Sequence, residues 1–149
     1  MANNDQSTPI FGIIEHAIFP ELGIDDVPVK IDTGAYSGAL HCASIEVARN
    51  AAGQKVLRFT PIHDQAKTVE LTRFLRAQVR SSNGHLSDRY LIDTPVLIQG
   101  RQYTIRIGLS DRSTMKTDVL IGRRFLRQNG ILVDVRINQD EDDDGGKKI

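Results

Sequence analysis

The sequence predicts a mainly β protein, a small closed β-barrel with one short helix near its C-terminus. Three observations support this fold class. Apolar and polar residues alternate over several short stretches, which is typical of half-buried strands. Gly, Asn and Pro separate these stretches at regular intervals. Only one segment, Arg123–Gln128, has clear helical character, and Asn129-Gly130 ends it.

The strands follow one another with turn residues between them. Pro20 ends the first strand, and Asn83-Gly84 is a strong hairpin signal between the fifth and the sixth. Many short strands with one helix indicate a closed sheet, and no internal repeat is visible. The predicted strands are Ile10–Phe19, Val27–Asp32, Ala39–Val47, Val56–Thr60, Phe74–Arg80, Tyr90–Ile98, Gln102–Leu109, Val119–Ile121 and Ile131–Val135.

Length and composition indicate a single domain. The chain has 149 residues, of which 40% are hydrophobic, and it has no Trp, so aliphatic side chains must build most of the core. The single cysteine, Cys42, excludes an intrachain disulfide and fits a reducing compartment, so we expect a cytoplasmic location. We expect no membrane span because no apolar run is long enough, and no secretion signal because the N-terminus is polar.

Charge divides the chain into three parts. We expect residues 1–9 to be a flexible N-terminus, residues 10–137 to be the folded domain, and residues 138–149 to be a disordered acidic tail. Without residues 140–149, which hold five acids and two bases, the body carries 17 basic and 14 acidic residues. This mildly basic body suits an acidic peptide, although it could equally be an ordinary surface. The tail either keeps the protein soluble or occupies a cationic groove.

The most informative stretch is Asp32-Thr33-Gly34-Ala35, which directly follows an apolar strand. Such a turn holds a carboxylate, an acid or base, at the end of a buried strand. Thr33 can hydrogen-bond locally, and Gly34 lets the backbone turn sharply without a Cβ clash. The triplet alone is weak evidence, because an aspartate that bonds its own backbone in a turn has the same sequence.

A second element, Val119-Leu120-Ile121-Gly122-Arg123, reads as a buried strand that passes into the helix. Together the two elements resemble the retropepsin-like aspartic peptidases. The segments around Asp32 and just before Val119 are similar to one bacterial group, often named ATP-dependent zinc proteases. That group is related to the small peptidase that accompanies the ATP-grasp ligase adding glutamates to a ribosomal protein. Two positions depart from the pattern: Gly38, where a small polar residue is expected, and Cys42, where Ala is expected.

The resemblance implies a barrel of the retropepsin (acid protease) type and an aspartic-type peptidase that hydrolyses peptide bonds with carboxylate-activated water. It implies peptide or protein substrates, with acidic or glutamate-rich peptides as the favoured class, and a functional link to an ATP-grasp glutamate ligase. Arg123 would have a structural role, tying the helix to the catalytic loop. The candidate site residues are Asp32, Thr33 and Gly34 for catalysis and Lys30, Ala35, His41 and Arg112 for substrate binding.

The single motif has a consequence for assembly. Aspartic peptidases use two carboxylates that share a proton, because two like charges about 3 Å apart cannot both ionise comfortably. This chain supplies one candidate, so a twofold symmetric homodimer must supply the second Asp32. A variant stays open in which Lys30 and Arg112 keep each Asp32 ionised, so that each subunit acts alone. Lys30 could instead point to solvent, and Arg112 could pair with Asp111 or Asp118.

Other functions are less well supported. No cofactor is expected, and no metal is expected because the four histidines show no His-Glu-x-x-His spacing. Assembly of His63, Asp64 and Asp111 in space stays open, and so does a strand-end structural role for His41. A non-catalytic peptide-binding module and a metal-dependent hydrolase remain as alternatives. Nucleic-acid binding is not expected, since the basic residues are scattered and not interleaved with aromatic ones.

Overall fold

The computed structural model describes residues 7–63, 65–80 and 82–142, apart from the Val79 side chain. Within these residues the chain forms strands, one α-helix, α1 (Arg123–Gln128), and two short 3-10 helices, Pro20–Leu22 and Gln139–Glu141. The strands are β1 (Ile10–Phe11), β2 (Ile14–Phe19), β3 (Ile24–Ile31), β4 (Gly38–Arg49), β5 (Lys55–Pro61), β6 (Val69–Leu71), β7 (Leu75–Arg80), β8 (Leu86–Ile98), β9 (Arg101–Ser110), β10 (Val119–Ile121) and β11 (Leu132–Val133).

Six strands close into a barrel in the order β3-β2-β8-β9-β4-β10, and β10 returns to β3. The short β10 lies between β3 and β4, parallel to the first and antiparallel to the second. Closure therefore brings the strand before Asp32 directly beside the strand before Gly122. The predicted mainly β closed barrel with one short helix is confirmed.

Two strands extend beyond the barrel. β4 continues into pairing with β5, which pairs in turn with β6. The first half of β8 pairs with β7, and the second half pairs with β2 and β9. Both faces of the β7–β8 arm are largely exposed. A two-stranded ribbon without a covered face is marginally stable, so this arm contributes little to the core.

The barrel is filled almost entirely by aliphatic side chains, as the absence of Trp predicts. Among the larger side chains that are fully buried are three phenylalanines and nine aliphatic residues. They are Phe11, Phe19, Phe59, Ile14, Ile31, Leu40, Leu57, Ile92, Ile98, Ile105, Ile107 and Ile121. Val29, Ile31, Val119 and Ile121 are all buried, so β3 and β10 are anchored from inside on both sides of the candidate site.

Several elements differ from the prediction, and the largest shift is at β8, which begins at Leu86, four residues earlier than predicted. The first predicted strand is broken at Gly12, whose N–H donates to the buried Glu15 carboxylate at 2.6 Å. A Cβ at Gly12 would lie 2.4 Å from the carbonyl oxygen of Ile137, so the close approach of the C-terminal segment requires glycine there. β3 begins at Ile24, three residues earlier than predicted, and β6 was not predicted.

Both ends of the described chain lie against the barrel. Pro9 accepts a backbone hydrogen bond from Leu132 at 3.0 Å, while residues 1–6 of the predicted flexible N-terminus lie outside the described residues. Of the tail predicted to be disordered, residues 138–142 instead form a turn and a 3-10 helix, and residues 143–149 are not described. Among the described residues, no helix has the length and apolar composition needed to cross a membrane.

Candidate active site

Asp32 lies directly after β3, in a turn that its own carboxylate helps to form. Its backbone N–H donates to Ile121 O at 2.8 Å, which continues the pairing with β10. Its carbonyl accepts from the Ala35 N–H at 3.2 Å. The Gly34 N–H donates to Oδ1 of Asp32 at 2.9 Å, so the turn orients the carboxylate. Within the described residues no second donor bonds to this carboxylate, which leaves Oδ2 accessible for a water molecule.

The turn faces outward. Asp32 is half-buried, whereas Thr33 and Gly34 are exposed. The strand below it alternates normally: Val29 and Ile31 point into the core, so Lys30 and Asp32 lie on the outer side. Core side chains therefore fix the strand before Asp32 from inside the barrel, and the Asp32 side chain lies on its outer surface.

The second sequence element holds the Asp32 turn through its backbone. The Arg123 N–H donates to Ala35 O at 2.8 Å, and the Arg124 N–H donates to Tyr36 O at 3.1 Å. A Cβ on Gly122 would lie 2.5 Å from Tyr36 O and 2.8 Å from Ala35 O. Only glycine permits this approach, so contact with the Asp32 turn requires glycine at position 122.

The Arg123 side chain adds a second connection. Its Nη1 donates to Gly34 O at 3.1 Å, and its guanidinium lies 5.5 Å from the centre of the Tyr36 ring. These two contacts join the start of α1 to the catalytic loop. They are the kind of contact expected of a structural arginine.

The two departures from the family pattern have separate physical settings. A Cβ on Gly38 would lie 2.6 Å from Leu120 O, so glycine lets β4 approach β10 closely at this point. Cys42 lies in the core, where burial raises the pKa of its thiol to about 12. A thiol that stays protonated in this way is unreactive at neutral pH.

Arg112 lies on the loop between β9 and β10, within electrostatic reach of Asp32. Partial burial lowers the pKa of the guanidinium, and the charges of Asp118 and, to a smaller extent, Asp32 oppose that shift. Its Nε donates to Thr117 O at 3.2 Å, which holds the side chain in place. The sequence left open whether Arg112 acts on Asp32 or pairs with Asp111 or Asp118. Its guanidinium interacts electrostatically with both Asp118 and Asp32.

His41 holds this loop through a hydrogen bond from the loop backbone. The side chain is buried, and its Nδ1 accepts the Arg112 backbone N–H at 2.8 Å. Nδ1 is therefore an acceptor, so the 3.8 Å approach of Asp111 Oδ1 is too long, and of the wrong polarity, for a hydrogen bond. The geometry makes His41 a support for Arg112.

Lys30 does not point freely into solvent. Its Nζ donates to Oδ1 of Asp142, and both side chains are more than two-thirds covered. Sequence reasoning noted the acidic run that contains Asp142 but could not place it. The four histidines show no metal-ligand spacing in the sequence, and one of them, His16, bonds Glu141 of the same segment at 2.7 Å. The one available signal was the charge contrast between the acidic run and the basic body.

The described residues contain no cluster of three or more His, Cys, Asp and Glu side chains that could hold a metal ion, and Asp64 lies outside them. Two cavities lie elsewhere on the molecule. One, of about 800 Å³, is lined by residues that include Phe74, Asp93 and Arg106. The other, of about 310 Å³, lies beside Asp25 and Asp26. Asp32 is not among the residues that line either of them.

Taken together, the closed barrel, the single Asp-Thr-Gly turn and the Gly-Arg helix start that clamps it define a peptidase-type fold of the retropepsin class. A family model confirms this class over residues 10–141. The chain belongs to the RimB-like family, described as retropepsin-like aspartic endopeptidase RimB.

Curated relatives carry a different name. The chain is 28% identical over 130 residues to a probable alpha-L-glutamate ligase of Shewanella halifaxensis, covering 84% of this chain and 28% of the relative. It is 26% identical over 140 residues to a probable alpha-L-glutamate ligase of Desulfotalea psychrophila, covering 87% of this chain and 29% of the relative. The chain therefore spans less than a third of the length of the curated relatives it matches.

A solved structure has the same fold. A protein of unknown function from Legionella pneumophila superposes with a TM-score of 0.71 at 23% sequence identity. The match covers 88% of this chain and 96% of that protein. At this identity the likeness concerns the fold alone.

Proposed function

We propose that this protein is an aspartic-type peptidase in which Asp32 activates a water molecule for hydrolysis of a peptide bond. The observation that supports this most directly is the Asp32 turn itself. Its carboxylate is oriented by the Gly34 N–H, anchored through β3 and β10, and half-exposed on the outer surface. A carboxylate held in one orientation beside solvent is suited to accept a proton from water.

A homodimer would complete this site. Asp32 is half-buried and Thr33 and Gly34 are exposed in a single chain, so a second subunit packed over the turn would form a cleft there. Twofold symmetry would place the two Asp32 side chains near one axis. One of the pair would then be charged and take a proton from water, while the other would be neutral and polarise the peptide carbonyl.

A second arrangement is supported by Arg112. The charges of Arg112 and Asp32 interact within a single chain, and in this arrangement Asp32 would work as a base without a close twin. Arg112 would then bind an acidic group of the substrate or stabilise the oxyanion that forms on the carbonyl.

The substrate class that fits both arrangements is an acidic or glutamate-rich peptide. Cationic side chains lie on either side of Asp32, with Lys30 two residues before it and Arg112 on the neighbouring loop. The curated relatives are named as probable glutamate ligases, which suggests that this chain acts alongside such a ligase in the cytoplasm. A peptidase with that link would remove or trim glutamate-containing chains.

The test is cleavage of a polyglutamate peptide and of a neutral peptide by wild type and by Asp32→Asn. We expect Asp32→Asn to lower the rate at least about a hundredfold, because a general base contributes about that much or more. Asp25→Asn, on the exposed far end of β3, is the matched control and should retain activity. Circular dichroism and thermal unfolding would verify that both variants fold. Undiminished cleavage by Asp32→Asn would exclude this mechanism.

Mixing wild type with Asp32→Asn separates the two arrangements. If the two Asp32 groups share one site, mixed dimers lose activity almost completely. If each subunit has its own site, mixed dimers keep about half the activity per dimer, because one of the two sites stays intact. Sedimentation velocity on the same samples would establish whether dimers form at all.

The same assay tests the alternatives. A metal-dependent hydrolase would lose activity in chelator, whereas the proposed peptidase would not. A non-catalytic binding module would bind the acidic peptide and leave it uncut in every variant.

A further inference from the structure

The outer face of strands β2 and β3 carries two basic side chains, and both hold acidic side chains of the C-terminal segment (residues 138–142). His16 Nε2 lies 2.7 Å from Glu141 Oε1. Lys30 Nζ donates to Asp142 Oδ1. Because His16 pairs with Pro28 and Lys30 pairs with Ile14, the two basic residues are diagonal cross-strand neighbours, about 7–8 Å apart.

The backbone delivers the C-terminal segment to this face. Ile13 donates to Ile137 O at 3.0 Å, and the Asn138 side chain donates to Ile14 O at 2.8 Å. Asn138 itself has a φ of 59°, a left-handed conformation that reverses the chain. The 3-10 helix that follows then presents Glu141 and Asp142 to the two basic side chains. Hydrogen bonds to the backbone of β2 and of the residue before it hold the start of the segment, and ion pairs hold its end.

This face adjoins the candidate catalytic group. Lys30 and Asp32 are two residues apart along an extended chain, on the same outer side, so their Cα atoms are separated by about 6.5 Å. In a peptide bound in extended form, alternate side chains are spaced by about the same distance. A carboxylate of a substrate bound at Asp32 would therefore come within reach of Lys30.

We propose that His16 and Lys30 form a carboxylate subsite for acidic side chains of a peptide substrate, and that Glu141 and Asp142 occupy this subsite as an internal competitor. The proposal rests on the proposed function, since it assumes that an acidic peptide is the ligand of the Asp32 site. Asp142 lies one residue beyond the range that matches the family model, so the contact with Lys30 is not part of that match.

The contact between His16 and Glu141 has the properties that a competitor needs, whereas the side chains of the Lys30–Asp142 pair are more than two-thirds covered. The side chains of His16 and Glu141 are 47% and 39% exposed, so this ion pair is screened by solvent and can be exchanged. Asp26 bonds the other His16 nitrogen at 3.0 Å and keeps the ring in position when Glu141 leaves. An acidic peptide would bind only to molecules with a vacant subsite, so its apparent Kd equals the intrinsic value divided by the vacant fraction.

Binding of a fluorescein-labelled hexaglutamate peptide, followed by fluorescence anisotropy at low salt, tests this proposal. All variants carry Asp32→Asn and the full chain, so no cleavage interferes. We expect Asp142→Asn to lower the apparent Kd about three- to tenfold, which corresponds to a segment docked in about 70–90% of molecules. Asp140→Asn is the matched control: it removes the same charge two residues earlier, from the 3-10 helix that precedes Asp142, and Asp140 forms no described hydrogen bond or ion pair with His16 or Lys30. Its apparent Kd should change less than about twofold.

Lys30→Met provides the second test. It should raise the apparent Kd about tenfold, and adding Asp142→Asn to it should give no further gain, because the competitor has lost its target. Equal effects of Asp142→Asn and Asp140→Asn would show a general charge effect and overturn the proposal. An unchanged affinity in Asp142→Asn would overturn it as well. Thermal unfolding of each variant would exclude a folding defect as the cause.

The outcome separates this proposal from the proposed function. A gain in binding by Asp142→Asn, without any Asp32-dependent cleavage in the parent protein, would support the subsite and exclude the peptidase activity. Asp32-dependent cleavage, with no gain in binding by Asp142→Asn, would support the peptidase and exclude the internal competitor.

Discussion

Two segments contact the outer side of strand β3, and they are held in opposite ways. The Asp32 turn is held by backbone hydrogen bonds from β10 and α1 and by a glycine contact that admits no side chain. The end of the C-terminal segment (residues 138–142) contacts Lys30, which lies two residues before Asp32. It is held by ion pairs with His16 and Lys30. The backbone contacts allow only one geometry of the turn. In the ion pairs, according to the proposal above, other carboxylates can take the place of Glu141 and Asp142.

This difference assigns different tasks to the two regions. A catalytic carboxylate must stay within a fraction of an ångström of its productive position, and the clamp on the Asp32 turn provides that. A recognition surface must accept and release ligands, and the proposal above gives this task to His16, whose ion pair is half-exposed, and to Lys30, whose ion pair is more than two-thirds covered. The barrel thus places a rigid element and a replaceable one on the same strand.

The largest effect is expected from Gly122→Ala, which attacks the rigid element. Its Cβ would lie 2.5 Å from Tyr36 O and 2.8 Å from Ala35 O, both of them backbone atoms that cannot move independently. We expect the free energy of unfolding, measured by urea denaturation, to fall by about 2–3 kcal/mol, as overpacking of this kind typically costs. We expect the rate of cleavage to fall by more than the loss of folded protein explains, because the Asp32 turn itself is displaced.

Gly34→Ala is the matched control for this prediction. Its Cβ would meet a single atom within 4 Å, Asp32 Oδ1 at 3.1 Å, and that atom belongs to a side chain. Both substitutions reduce the entropy of the unfolded chain equally, so this contribution cancels in the comparison. We expect Gly34→Ala to cost less than about 1 kcal/mol. Equal destabilisation by the two variants would contradict the view that backbone contact fixes the turn.

A smaller effect is expected from Arg123→Ala, which removes side-chain support but leaves the backbone clamp. The variant loses the hydrogen bond to Gly34 O and the contact with the Tyr36 ring, so we expect a loss of about 1 kcal/mol in urea denaturation. Arg127→Ala, which removes an exposed arginine from the same helix, should change stability by less than about 0.5 kcal/mol. A loss as large as that of Gly122→Ala would mean that the side chain, and not the backbone, holds the turn.

The sequence predicted the rigid element well and the replaceable one poorly, for a physical reason. The Asp32 turn and the helix start at Gly122 each have a local pattern of apolar strand, turn residue and glycine that can be read from a few neighbouring residues. The need for glycine at Gly38 arises only when Leu120 O is in place. The contact of Lys30 with Asp142 joins residues 112 positions apart, and no local pattern encodes such a distance. The contrast between the acidic tail and the basic body indicated that the tail could bind a cationic surface, but it did not indicate that Asp142 would contact Lys30.

The smallest effect is expected from His16→Gln, and it should depend on pH. Hydrogen bonds to Glu141 and, next, to Asp26 raise the pKa of His16 above its usual 6.5. The groups that face the ring are Asp26 from β3 and Glu141 from the 3-10 helix, with the Lys30–Asp142 ion pair beside them. A raised pKa in the folded protein means that His16 contributes stability fully below about pH 6.5 and loses that contribution as pH rises through the raised value.

Urea denaturation of wild type and His16→Gln at pH 5.5, 7 and 8.5 measures this contribution. We expect the difference in unfolding free energy to be largest at pH 5.5 and to shrink toward pH 8.5. The difference should stay small throughout, because the His16 side chain is 47% exposed and its charge is screened by solvent. In a Glu141→Gln background the pH dependence should weaken further, since the partner with the largest effect on His16 is gone. A difference that grows with pH would mean that neutral His16 is the stabilising form, and that the charge of His16 does not hold Glu141.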